Sequence, residues 1–286
     1  MNKFIKREIK YHTVGKFKRH VFHTIILMII AVSISLLSGC SYYDIDDVWG
    51  ENLSSTEETS YIDTTEDLSD VYDYDIVETE HTETDTPTVS DSEIPKYNGN
   101  LSIQINNNVP NLNIEDASNG TFIRLSELDS LGRCGVAYMC AGEETLPTGE
   151  RGEIGHVKPS GWHTVKYPDI IPDRYLYNRS HLLMWALSGL NSDERNLITG
   201  TRMLNADSDN GMLHYETMVL DYIRETGNHV LYKVEPYFKD DELVARGVHM
   251  QALSVEDKGI SFNVFVYNIQ NGIEIDYKTG ESWVSE

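Results

Sequence analysis

The apolar positions after residue 160 fall into regular runs. Trp162 to Tyr167 alternates and predicts a strand, and Leu176 to His181 predicts a second short extended segment. Leu182 to Leu187 is apolar on most sides, and periodicity alone assigns it neither to a buried helix nor to a strand. Leu197 to Gly200 predicts another short strand. Between Leu213 and Thr226, Tyr215, Met218, Val219, Tyr222 and Ile223 form a helical stripe, and Gly227-Asn228 supplies its stop. The runs His229 to Val234, Leu243 to Ala252, Ile260 to Ile269 and Ile273 to Tyr277 alternate as antiparallel strands do. The pattern predicts an α+β fold, an antiparallel sheet with flanking helices.

Two earlier stretches break this rhythm and divide the chain into three blocks. Residues 1–40 carry seven basic residues and one acid, and end in an apolar run from Val21 to Gly39. A basic flank, an apolar stretch and small residues before a cut are the parts of a secretory signal. The tetrad Leu37-Ser38-Gly39-Cys40 resembles a bacterial lipobox, in which Cys40 is lipidated and becomes the mature N-terminus. An uncleaved membrane anchor is the alternative, and both readings place everything after residue 40 outside the membrane. Residues 41–95 hold 18 acids and no Lys or Arg, too little apolar surface to offset chain entropy. The expected organisation is therefore a lipoprotein signal over 1–39, lipidated Cys40 with an acidic tether over 40–95, and a folded domain over 96–286. It implies an extracytoplasmic protein held to a bacterial cell membrane, most simply that of a Gram-positive cell, by its lipid.

The chain's net charge of −23 argues at first against a polyanionic partner. Divided by block it reads +6, −18 and −11, so most of the excess belongs to the tether. Three cysteines exclude a disulfide-dense scaffold. Cys134 and Cys140, in an oxidising exterior, predict a small disulfide loop, with two buried thiols as the alternative. No second Cys or His pair stands at zinc-ligand spacing.

Polar residues are densest in Arg174-Tyr175-Leu176-Tyr177-Asn178-Arg179-Ser180-His181, followed by Asn191, Asn196 and Asn205. Asn178-Arg179-Ser180-His181, then Asn196 to Asn205, then a helix bearing Glu216, resembles the core of the DNA/RNA non-specific endonuclease family. Within that family the likeness is to the secreted streptococcal DNases and the competence-type DNA-entry nucleases. It runs from about Leu128 to Trp283 and includes Lys158-Pro159-Ser160-Gly161-Trp162 and Gly272 to Tyr277. The resemblance implies a ββα-metal finger, two strands and a helix that bring one His and one Asn to a single Mg²⁺, with Mn²⁺ as a substitute. It implies His181 as general base, Asn205 as metal ligand, Arg179 near the phosphate, and Glu216 as the carboxylate that orients a water beside the metal. Asn178, Asn196, Arg174 and Arg202 are then expected along the substrate, DNA with RNA as a second substrate.

The residue types suit phosphodiester hydrolysis. A His with an ordinary pKa of about 6.5 can take a proton from water near neutrality. Mg²⁺ prefers oxygen and keeps several waters, so a single Asn is a sufficient direct ligand. Two positions depart from the family's Asp-Arg-Gly-His pattern. Asn178 brings no charge, and Ser180 is expected to restrict a turn before His181. These departures motivate a competing reading, a non-catalytic surface lipoprotein that binds nucleic acid or another partner.

Overall fold

The computed structural model describes residue 94, residues 96–171 and residues 174–286. The expected signal, the lipidated Cys40 and, apart from Ile94, the acidic tether lie outside these residues. Six strands form one antiparallel sheet in the order β1-β8-β7-β6-β3-β2, where β1 is Ser102–Gln104, β2 Phe122–Leu125, β3 Ala137–Ala141, β6 Val230–Tyr237, β7 Gly247–Ser254 and β8 Ser261–Tyr267. Two small hairpins stand apart from it, β4 (Tyr177–His181) with β5 (Leu197–Thr201), and β9 (Ile273–Ile275) with β10 (Ser282–Val284). The helices are α1 (Trp185–Ser188), α2 (Arg202–Ala206) and α3 (Met212–Thr226). The α+β prediction holds.

The main core lies between one sheet face and α3. Val230, Tyr232 and Val234 on β6, with Val248, Met250 and Ala252 on β7, meet Met212, Val219 and Ile223 of the helix. Complete burial of one such aliphatic side chain stabilises the fold by ~1.5–3 kcal/mol, so this interface anchors α3 firmly. The opposite face carries a small apolar cluster, Ile105, Phe265 and Tyr267, beside buried polar residues that the segment after β1 covers. Asn111 N–H donates to Gln251 Oε1 (2.6 Å), Asn263 N–H donates to Asn108 Oδ1 (2.9 Å), and the Tyr138 hydroxyl donates to Asp116 (2.8 Å).

Several elements differ from the periodicity. Trp162 to Tyr167 is not a strand; it makes only a single bridge, Lys166 to Tyr175. Its side chains are held by tertiary contacts instead, Trp162, Val165 and Tyr167 packing with Leu176, Tyr177 and Ile273 in a second small core. The apolar run from Leu182 resolves as loop followed by the four-residue α1. The expected disulfide is absent: Cys134 and Cys140 are both free and buried. β3 is the reason. It fixes Cys140 inside the sheet, paired with Phe122 and Leu231, while Cys134 lies before the strand and packs elsewhere. Cys134 Sγ instead lies against the carbonyls of Glu194 and Leu197, at 3.2 Å each. Burial pushes its thiol up to about 12, so it stays protonated and unreactive.

Candidate active site

The β4–β5 hairpin pairs Tyr177 with Thr201 at one end and His181 with Leu197 at the other. α2 begins directly after β5, with the Thr201 hydroxyl capping it by accepting from Leu204 N–H (3.0 Å). The turn from α2 into α3 closes on Gly211, where a Cβ would stand 2.8 Å from the carbonyls of Met203 and Asp207. Strand, strand and helix thus carry His181, Asn205 and, one helix later, Glu216.

His181 is 7% exposed. Its Nε2 lies 2.8 Å from the Asn191 carbonyl, which can only accept, so the hydrogen is on Nε2 and the lone pair is on Nδ1. Nδ1 faces the Arg151 guanidinium, 3.4 Å from Nη2. Burial depresses the imidazole pKa to about 4, with the Arg151 charge adding to the effect against the Asn191 bond. The ring is therefore neutral and proton-accepting at neutral pH.

Glu216 points from the buried stripe of α3 and is 5% exposed. Burial pushes its carboxyl up to about 8, and the Arg151 charge opposes the rise. At ~1.4 kcal/mol per pKa unit, a shift of that size disfavours the carboxylate by on the order of 5 kcal/mol. Because the folded state holds its proton more tightly than the unfolded chain, this burden is absent below about pH 4.5 and grows until about pH 8. Glu216→Gln is accordingly expected to raise the thermal midpoint in EDTA, by an increment that widens from pH 5 to pH 8. Circular dichroism melts at several pH values check this, and a pH-independent increment would contradict it.

Asn205 is 5% exposed, and its Nδ2 makes no hydrogen bond among the described residues. The buried Asn178 Oδ1, Ser180 Oγ and Asn191 Oδ1 are likewise without partners there. Buried polar atoms are ordinarily paired, so the unpaired Asn205 amide nitrogen on α2 is the orphan that suits a ligand, whereas Asn178 and Ser180 alternate with His181 along β4 and face the other side of the hairpin. Among the described residues no three His, Cys, Asp or Glu side chains converge as a metal cage. A single amide oxygen as protein ligand fits a hard, largely hydrated cation such as Mg²⁺ and not a structural zinc.

Other expected site residues take different places. Asn196 is fully buried, its Oδ1 accepting from Leu183 N–H (2.8 Å) and its Nδ2 donating to the Leu183 carbonyl (3.0 Å). That clamp fixes the chain just after His181 and leaves nothing for substrate. Arg179 donates to the Val157 carbonyl and, at 2.7 Å, to that of Gly155, and stacks on Trp162 at 4.0 Å. Its donors tie down the 155–157 loop, so the guanidinium that reaches His181 is Arg151 and not Arg179. Arg174 and Arg202 flank the Tyr177–Thr201 end of the hairpin, whose backbone is four strand steps or ~13 Å from His181. Ser180 restricts no turn; it is in extended β4 and fully buried, opposite Ile198.

Ser180 is accommodated by Gly200, where a Cβ would lie 2.1 Å from Ser180 Oγ and 2.9 Å from Ser180 Cβ. Gly200→Ala is expected to destabilise the protein by about 1–3 kcal/mol through overpacking. Adding Ser180→Gly should recover most of that loss in urea denaturation, whereas additive costs would contradict the contact.

A hairpin closed by a short helix, with a neutral buried histidine and an unpartnered amide, has the make-up of a ββα-metal nuclease finger. Residues 112–256 match the family model described as DNA/RNA non-specific endonuclease, half of the chain, and the protein belongs to that family. It is similar to a deoxyribonuclease of Streptococcus dysgalactiae subsp. equisimilis, 38% identical over 118 residues, 39% of this chain. The match spans only 36% of that relative's length. NucA from Streptococcus agalactiae with a magnesium ion bound superposes with a TM-score of 0.58 at 25% identity, over 64% of this chain and 87% of that one. The Sda1 nuclease with a bound zinc ion gives a TM-score of 0.52 at 30% identity, over 57% and 81%.

Proposed function

We propose that the protein is a metal-dependent, sequence-non-specific endonuclease that hydrolyses phosphodiester bonds of DNA, with RNA as a second substrate. The observation that carries this reading is the state of His181: Nε2–H pinned to the Asn191 carbonyl, Nδ1 bare of hydrogen and turned toward a guanidinium. Pinning the tautomer aims one lone pair at one place, as a general base requires.

Arg151 meets the substrate phosphate, and His181 Nδ1 takes the proton of the attacking water. Without substrate, the adjacent guanidinium weakens His181 as a base. A phosphate anion entering between them pairs with Arg151, removes that repulsion and raises the proton affinity of Nδ1 toward a useful range. Asn205 would hold the Mg²⁺ and Glu216 would orient its surroundings; when bound, the ion supplies charge neutralisation at the phosphate and the leaving oxygen. With a domain of −11, attraction comes from this local arrangement and not from the global field. Contacts to phosphate without aligned readers of base edges give little sequence preference.

Incubating the full chain with closed circular DNA and with a structured RNA, each with Mg²⁺, tests the substrate assignment. Internal cuts in the circular DNA are expected. Saturable binding of either polymer with no cutting would instead favour the non-catalytic reading.

The same proposal places the enzyme at the outer face of a bacterial membrane, held by lipid on Cys40 and spaced by the acidic tether. Cells fed labelled palmitate should label the wild-type chain and not Cys40→Ala, and equal labelling of the two would contradict lipidation at Cys40.

A further inference from the structure

The main core contains one polar atom that packing does not explain. Tyr232 is central to β6, paired with Met139 on one side and Ala252 on the other, and is completely buried. Its hydroxyl makes no hydrogen bond among the described residues. Phenylalanine would fill nearly the same volume without a stranded donor, so the hydroxyl carries a desolvation penalty that the fold does not need.

Its surroundings supply a reason. Tyr232 shares the core face of the sheet with Val230 and Val234, the face on which α3 packs. Glu216 lies on the buried side of α3 with Met212, Val219 and Ile223, so phenol and carboxyl enter the same interface from opposite elements. The two are electrostatically coupled, the carboxylate charge adding to burial in holding the phenol protonated. A protonated phenol is a hydrogen-bond donor, and an ionised carboxyl in a dry core needs one.

We propose that Tyr232 is a positioning residue whose hydroxyl is the donor reserved for the Glu216 carboxylate when a divalent cation is bound, holding that carboxylate in one orientation. This rests on the reading of Glu216 given above. Tyr232 touches neither substrate nor cation and acts only through Glu216. In the cation-free protein the donor is unused; with the cation bound it is paired. The hydroxyl therefore lowers stability in the first state and favours the second.

Tyr232→Phe separates this from ordinary packing. Thermal midpoints of the full-length wild type and variant are measured in EDTA and in saturating Mg²⁺. The variant is expected to melt at or above the wild-type temperature in EDTA, and to gain clearly less from Mg²⁺. Equal gains in the two proteins would overturn the proposal, whatever their activity. With plasmid as substrate, kcat should fall about tenfold with KM within twofold, the pattern of a lost transition-state interaction. In a Glu216→Gln background Tyr232→Phe should have no further effect on kcat, and an undiminished second loss would also overturn it. If the wild type cut nothing while the unequal Mg²⁺ gains persisted, the nuclease reading would fail and the Tyr232–Glu216 pairing would stand.

Discussion

His181→Ala is expected to lower DNA cleavage by about 10²–10⁴-fold, the range a positioned general base contributes. The loss should appear in kcat, because the imidazole is buried behind the Asn191 loop and offers only Nδ1 to the reacting water. The fold should survive, since His181 is the last residue of β4 and the chain beyond it is clamped independently by Asn196. Affinity for Mg²⁺ should be nearly unchanged. Cleavage of plasmid by the variant, with added imidazole as a partial rescue, checks the assignment. Wild-type rates in the variant would remove His181 from the chemistry.

Asn205→Ala should fail differently. The amide is buried on α2 with Nδ2 unpaired among the described residues, so turning it to face a cation costs that nitrogen no hydrogen bond. Removing even an indirect partner of a metal commonly costs 10–100-fold in affinity, and the direct ligand should cost at least that. Half-saturating Mg²⁺ is therefore expected to rise by about 100-fold or more, with some cleavage returning at high concentration. Calorimetric titration of Mg²⁺ into the variant and into His181→Ala separates the two roles. Equal metal affinity in Asn205→Ala and wild type would displace Asn205 from the site.

The hairpin strands and α3 were readable because their patterns obey simple periods. Tyr177–His181 and Leu197–Thr201 appear within a residue of their predicted limits, and the Leu213–Thr226 stripe is α3. β3 escaped notice because all but one of its residues are buried, so no alternation survives. β7 carries the buried polar residues His249 and Gln251 because a segment covers its outer face, a tertiary fact with no local signature. α2 has only five residues, too few for a helical stripe.

The candidate site was proposed from a family pattern rather than from physics. His181, Asn205 and Glu216 are carried by the elements the pattern implies, but their chemistry depends on neighbours that the pattern does not contain. Arg151 is the clearest case. It lies in Gly149-Glu150-Arg151-Gly152-Glu153, a stretch that reads only as a charged loop, and it meets His181 across 30 residues. An isolated arginine between glycines is at best a weak signal. Asn196 misled for the opposite reason, since a polar residue beside a motif can serve the backbone alone.

The central claim is that these residues form a cation-dependent nuclease centre. Its most direct test is to incubate the purified full-length chain with supercoiled plasmid, first in EDTA and then with Mg²⁺ restored. The account predicts intact plasmid in EDTA and nicked, linear and fragmented DNA once Mg²⁺ is present. Plasmid that stays supercoiled with Mg²⁺, Mn²⁺ and Zn²⁺ alike would contradict it.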